Sequence, residues 1–112
     1  MGRFAVGQVV SSAIPFSDLS DRKYRPALIV ALADLDDLVL CQITSKAYVS
    51  TKAIELTIAD FATGGLPITS YIRPDKLFTA EPSIISQVYG ELSPKKLQQV
   101  HAALRGLFAV AT

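Results

Sequence analysis

The chain has 112 residues, half of them hydrophobic, and a formal net charge of +1. This length fits one domain over residues 1–112, and the apolar share is sufficient for a core. The near-zero net charge neither favours nor excludes a nucleic-acid partner. No stretch is long and apolar enough for a membrane helix, and the first residues lack the pattern of a secretion signal. The only cysteine, Cys41, lies in an apolar run and is expected in the core, so we expect a cytoplasmic protein without membrane contact.

The first predicted elements are a strand and a polar loop. Residues 8–14, between a glycine and a proline, favour a strand. Residues 17–24 are polar and rich in turn formers, and a loop of this length in a small domain is often functional. Asp18 and Asp21 either influence the arginine that follows or simply order the turn.

Residues 25–46 are predicted to form a β-hairpin. Apolar runs at 28–30 and 38–41 flank an acidic turn at 34–37. Antiparallel pairing brings the ends away from this turn together, so Arg25 is expected beside Thr44 and Ser45. A guanidinium that faces two hydroxyls has the donors to bind a phosphate. The alternative is an ordinary surface cation and hydroxyls that merely end a strand.

Further short strands are predicted after this hairpin. They are expected at 53–58, at 70–75, where Pro74 breaks the strand, and at 84–89, with an end at Gly90. Residues 47–52 form a polar segment, residues 60–66 are expected to turn through a glycine pair, and residues 76–79 continue the extended chain.

The last segment is predicted to be a helix. Ser93 is a suitable N-cap, and Pro94 fits the first turn. Apolar side chains then recur at helical spacing, giving one stripe that docks on the sheet: Leu97, Val100, Leu104, Leu107 and Phe108. His101 lies at the margin of this stripe, where packing or surface exposure is a commoner role than catalysis. Five to seven strands and one helix predict a mainly β fold, a small curled sheet or open barrel.

Six short motifs follow one another along the chain: GQVV at 7–10, PFSD at 15–18, RPALIV at 25–30, QITS at 42–45, SYIRPDKLFT at 70–79 and GELS at 90–93. Their order resembles the MazF/PemK family of toxin endoribonucleases. The resemblance implies an SH3-like barrel of the CcdB/MazF/PemK type with a C-terminal helix, which assembles as a homodimer. It implies cleavage of single-stranded RNA at short sequences without a metal or other cofactor. It also implies a cognate antitoxin as the protein partner.

The resemblance further implies roles for individual residues. The catalytic pair of such enzymes matches Arg25 and Thr44, the two residues that hairpin geometry brings together. The ribose hydroxyl is then the nucleophile, and the products carry a 2',3'-cyclic phosphate and a 5'-hydroxyl. The expected substrate-binding residues are Asp18, Tyr24, Gln42, Ser45 and Lys46. Tyr24, Tyr48 and Tyr71 are candidate platforms on which bases stack.

Two alternatives of other classes remain open at this stage. One is a non-catalytic relative that binds RNA or a protein partner. The other is a toxin like CcdB, which poisons DNA gyrase through the end of its C-terminal helix. Here residues 107–112 are apolar and uncharged, which is more typical of packing in a core or a dimer.

Overall fold

The computed structural model describes residues 3–13, 23–47 and 50–109. Within these ranges the chain forms seven strands, three short 3-10 turns and one α-helix. The strands are β1 (Gln8–Ala13), β2 (Tyr24–Leu32), β3 (Leu38–Thr44), β4 (Ile54–Leu56), β5 (Phe61–Gly64), β6 (Ser70–Ala80) and β7 (Ile85–Leu92), and the helix is α1 (Pro94–Phe108).

The strands form one curled sheet in the order β4-β6-β3-β2-β1-β7-β5. Every neighbouring pair is antiparallel. The predicted hairpin, β2 and β3, therefore lies in the middle of the sheet. The expectation of a mainly β, SH3-like barrel fold with a C-terminal helix is confirmed. No described helix is long and apolar enough to cross a membrane.

The two central strands are buried on both faces. Leu28 and Cys41 belong to a cluster that also contains Val100 of α1, whereas Ile29 and Leu40 belong to a second cluster. Successive strand residues point to opposite faces, so a continuous apolar run is what two covered faces require. Cys41 is in the core as expected. Burial, with a smaller contribution from the charge of Asp75, raises the pKa of its thiol to about 12.

The helix begins where the sequence predicts and packs with most of its stripe. Ser93 Oγ accepts a hydrogen bond from the Lys96 backbone N–H at 3.2 Å, which satisfies one of the free amides of the first turn. The half-buried His101 has its Nε2 2.9 Å from the Val30 carbonyl oxygen, which agrees with a packing role. Phe108 is 67% exposed, so its assignment to the docked stripe is wrong.

The predicted break of the strand at Pro74 is wrong, because β6 runs on to Ala80. The pairing with β3 changes from Gln42 opposite Arg73 to Cys41 opposite Leu77, which leaves residues 74–76 as a bulge in β6. Proline lacks a backbone N–H, so it is tolerated where the ladder of hydrogen bonds is interrupted.

Two other boundaries differ from the prediction because of a close contact between strands. The predicted turn at 60–66 contains β5, and β7 passes through Gly90 instead of stopping there. A Cβ at Gly90 would overlap the Thr63 carbonyl oxygen of β5. Glycine thus permits the approach of two backbones here and does not end the strand. Strand β4 is shorter than predicted, with three residues.

Candidate functional site

A groove of about 560 Å³ opens at the end of the central hairpin away from its acidic turn. Its described walls come from β2, β3, β6, β7 and the segment 66–68. Five of the residues predicted to serve the site line this groove: Arg25, Gln42, Thr44, Ser45 and Lys46. The polar ends of the two strands are therefore gathered on one open surface.

Antiparallel pairing explains why Arg25 and Thr44 share this groove. Ala27 pairs with Gln42, and the same register continued by two residues aligns Arg25 with Thr44. Arg25 is exposed and Thr44 is half-buried. The two side chains are neither sealed in the core nor on opposite faces of the sheet. Their catalytic roles stay predictions.

The hydroxyl of Thr44 is held by the turn that follows β3. The Lys46 backbone N–H donates a hydrogen bond to Thr44 Oγ1 at 3.1 Å. A threonine hydroxyl has two acceptor sites and one hydrogen to donate. The turn uses one acceptor site and fixes the oxygen, so the hydrogen is left for a ligand.

The described lining of the groove is cationic. It contains Arg25, Lys46 and Arg73 but no aspartate or glutamate. A concave surface lined by one sign of charge attracts and concentrates ligands of the opposite sign. An anionic ligand is therefore the chemical class that this groove favours. Among the described residues, no group of three or more His, Cys, Asp or Glu side chains is placed to hold a metal ion.

Arg73 is a groove residue that the sequence reasoning did not assign to the site. It lies opposite Gln42 in the sheet and lines the same groove. Its Nη2 donates to Asp75 Oδ2 at 3.2 Å, and Ser50 Oγ donates to the same oxygen at 3.3 Å. Burial raises the pKa of Asp75, but the hydrogen bond and charge of Arg73, together with the Ser50 bond, outweigh it and hold the pKa below its usual value. The motif SYIRPDKLFT contained the residue, but its orientation depends on the bulge.

The aromatic side chain in the described lining is Tyr89, not one of the predicted platforms. Tyr24, 49% exposed, and the half-buried Tyr71 are not among the described lining residues. Tyr24 directly precedes Arg25 on β2, and successive strand residues point to opposite faces of the sheet. Asp18 and Tyr48 lie outside the described residues. Sequence reasoning missed Tyr89 because the position of β7 beside the groove is set by long-range pairing.

His101 lies in a different place from these residues. It lines a second, apolar groove beside the C-terminal half of α1, together with Phe108. Its nitrogen atom Nε2 is engaged with the Val30 backbone. Among the described residues, His101 is therefore not part of the cationic groove.

The fold is similar to several solved structures. An endoribonuclease in complex with its cognate antitoxin, from a mycobacterial species, has a TM-score of 0.72 and 19% identity, with 96% of each chain covered. MazF from Deinococcus radiodurans has a TM-score of 0.72 and 19% identity, with 94% of this chain and 96% of that chain covered. Toxin MazF-mt6 of Mycobacterium tuberculosis has a TM-score of 0.70 and 17% identity, with 94% and 99% covered.

The comparison with curated proteins gave no significant match. Comparison with protein-family models matches residues 6–108 to the family described as PemK-like, MazF-like toxin of type II toxin-antitoxin system. The match spans both strands that carry Arg25 and Thr44, the bulged strand β6 and the helix. The chain therefore belongs to the PemK-like, MazF-like toxins of type II toxin-antitoxin systems.

Proposed function

We propose that residues 1–112 form a single cytoplasmic domain that acts as a metal-independent endoribonuclease toxin. It cleaves single-stranded RNA at short sequences and leaves a 2',3'-cyclic phosphate and a 5'-hydroxyl. The observation that carries this proposal is the shared position of Arg25 and Thr44 in a cationic groove. Family membership and the similarity to a mycobacterial endoribonuclease support the same reaction class.

In this reaction the 2'-oxygen of the ribose attacks the adjacent phosphorus. A bond forms between that oxygen and phosphorus, and the bond from phosphorus to the 5'-oxygen breaks. Negative charge builds up on the non-bridging phosphate oxygens in the transition state. Arg25 donates two hydrogen bonds to these oxygens, and the Thr44 hydroxyl donates one. Each preorganised donor of this kind contributes about 3 to 4 kcal/mol to the barrier reduction.

Proton transfer is assigned to groups other than Arg25. A guanidinium group is not deprotonated in proteins, so an arginine side chain is a poor base. Water accepts the proton of the 2'-hydroxyl and supplies one to the leaving 5'-oxygen. DNA lacks the 2'-hydroxyl, so a single-stranded DNA of the same sequence is bound but not cut.

The proposal includes two protein–protein interactions, one between two copies of this chain and one with an antitoxin. The active form is a homodimer, and the inhibitor is an acidic antitoxin chain. A short acidic segment complements the cationic lining around Arg25, Lys46 and Arg73. The similar mycobacterial and Deinococcus toxins have been solved with an antitoxin and with MazE, respectively.

The test is incubation of the purified protein with a long single-stranded RNA in excess chelator, followed by analysis of the fragment ends. We expect fragments with cyclic phosphate ends, and no fragments from the corresponding DNA. Arg25→Ala should lower the cleavage rate by a hundredfold or more. The matched control is Arg105→Ala, because Arg105 is an exposed arginine on α1 that lines the other groove.

The outcomes separate this proposal from the alternatives. RNA that is bound but stays intact would indicate a non-catalytic binding protein. Inhibition of gyrase without RNA cleavage would indicate a CcdB-like toxin. If Arg25→Ala cuts at the wild-type rate while its circular dichroism is unchanged, the role of Arg25 is refuted.

A further inference from the structure

We propose that Tyr89, together with Pro67 and Ile68, forms a subsite on which one unpaired base of the RNA stacks beside the cleavage site. These side chains line the cationic groove from β7 and from the segment that precedes β6. The inference rests on the proposed function and adds a specificity-determining residue to it. The proposed catalytic pair serves the phosphate that reacts, whereas this subsite serves a base.

The described lining of the groove is of two chemical kinds. Cations come from the central hairpin and β6, whereas an apolar wall consists of Leu66, Pro67, Ile68 and Tyr89. A single-stranded RNA also carries two kinds of group, charged phosphates and bases with flat faces. Proteins that bind single strands combine a cationic path for the backbone with side chains on which bases stack. The groove volume of about 560 Å³ lies in the range of pockets that enclose small ligands.

Tyr89 is held firmly by the strand beside it and by the core. The Gly65 backbone N–H donates to the Tyr89 carbonyl oxygen at 3.2 Å, and Gly64 pairs with Gly90. A Cβ at Gly64 would overlap that carbonyl oxygen, so glycine is needed for this approach. The half-buried side chain of Tyr89 packs against the core cluster that includes Val100 of α1. A ring fixed in this way loses little conformational entropy when a ligand covers it.

The rest of the apolar wall, residues 66–68, is held at both ends. One end follows the hydrogen bond to β7 just given. At the other end the buried Ser70 donates from Oγ to the Ile68 carbonyl oxygen at 3.0 Å. The side chains of Pro67 and Ile68 are nevertheless exposed, that of Ile68 to 60%. A base that stacks on them removes apolar surface from water without first having to order the segment.

The hydroxyl of Tyr89 has no hydrogen-bond partner among the described residues. A tyrosine hydroxyl both donates and accepts, and it usually has a partner when its ring is packed in a protein. The edges of an unpaired base carry donors and acceptors. A base whose edge pairs with this hydroxyl is therefore bound better than one whose edge does not, which gives Tyr89 its role in specificity.

The test locates the base and the side chain together. The probes are fluorescent RNAs of the mapped cleavage sequence with every 2'-hydroxyl methylated, so that they cannot be cut, and each lacks the base of a different nucleotide. Loss of one particular base beside the cleavage site should weaken binding to the wild-type protein about tenfold. Tyr89→Leu should weaken binding of the intact probe by a similar factor. The abasic probe should then lose nothing further with this variant, because both changes remove the same contact.

Two further variants and a matched control separate stacking from folding. Ile68→Ala should weaken binding about threefold at an unchanged denaturation midpoint, and it is the test variant if Tyr89→Leu does not fold. The matched control is Val88→Ala, because Val88 is 46% exposed and lies outside the described lining; it should bind like the wild type. Tyr89→Phe keeps the ring, so its affinity should stay within about threefold, while its preference for the cognate base should fall about fivefold. The slope of log affinity against log salt should not change in any variant, since no phosphate contact is removed.

Other results overturn the inference in distinct ways. Independent, additive losses from Tyr89→Leu and from the abasic probe at every position would mean that no base stacks on this ring. A shallower salt slope in Tyr89→Leu would mean that the side chain acts on a phosphate contact. An unaltered base preference in Tyr89→Phe would refute the role of the hydroxyl in specificity. A wild-type protein that cuts RNA but binds every abasic probe equally would remove this inference alone, whereas one that neither binds nor cuts RNA would remove the proposed function as well.

Discussion

The sharpest prediction concerns a single oxygen atom, the hydroxyl of Thr44. Replacing Thr44 by valine keeps the shape of the side chain and removes only its hydrogen-bonding capacity. The structure gives this hydroxyl one contact within the described protein, an accepted hydrogen bond from the Lys46 backbone N–H at 3.1 Å. Lys46 is exposed, so water replaces the lost partner. The free energy of unfolding should therefore fall by no more than about 1 kcal/mol.

The effect on cleavage should be much larger. If the hydroxyl donates to a phosphate oxygen whose charge grows in the transition state, its loss costs about 3 to 4 kcal/mol, or a hundred- to thousandfold in kcat. Thr44→Ser retains the oxygen and should keep at least a tenth of the wild-type rate. The matched control is Thr79→Val, since Thr79 is an exposed strand residue on β6, outside the described lining of the groove.

The assay pairs single-turnover cleavage of a fluorescent RNA in excess chelator with chemical denaturation of each variant. Large loss of rate together with small loss of stability is the expected signature for Thr44→Val. A Thr44→Val rate within threefold of wild type would refute a role for the hydroxyl. Equal losses in the serine and valine variants would show that the methyl group, not the oxygen, is what the site needs.

Three further predictions test the fold. Leu35→Asn should stabilise the protein by about 0.5 to 1 kcal/mol in denaturant titrations, because Leu35 is 95% exposed and has a positive φ of 59° that asparagine tolerates better. Cys41 should resist alkylation at pH 8 until the protein is unfolded, because its buried thiol, with a pKa of about 12, stays protonated; fast labelling of the native protein would contradict this. Gly90→Ala should destabilise the protein by more than about 2 kcal/mol, because the added methyl group overlaps the Thr63 carbonyl oxygen; an unchanged melting temperature would refute that contact.

The central hairpin and the pair Arg25 and Thr44 could be predicted because their geometry is local. The two strands are joined by a short turn, so antiparallel pairing alone aligns the start of one with the end of the other. The helix was predictable for a similar reason, since Ser93 and Pro94 mark its start and its stripe has helical spacing. No long-range contact had to be known for either inference.

Strand β5 and the true extents of β6 and β7 could not be read in the same way. Strand β5 has four residues, none of them fully buried, and it exists because Gly90 lets it approach β7. Pro74 predicts a break in the strand, but a bulge against β3 accommodates it. In each case a partner distant in sequence overrides the local signal.

The residues that line the groove also differ in whether local or long-range contacts place them there. The residues proposed for chemistry lie on one hairpin, so the sequence brings them together directly. Two other residues of the groove lining, Arg73 and Tyr89, come from β6 and β7, which reach the groove only when the whole sheet has formed. With the proposed roles, the reactive pair lies on the two central strands of the sheet, and the rest of the groove is built from the strands around them.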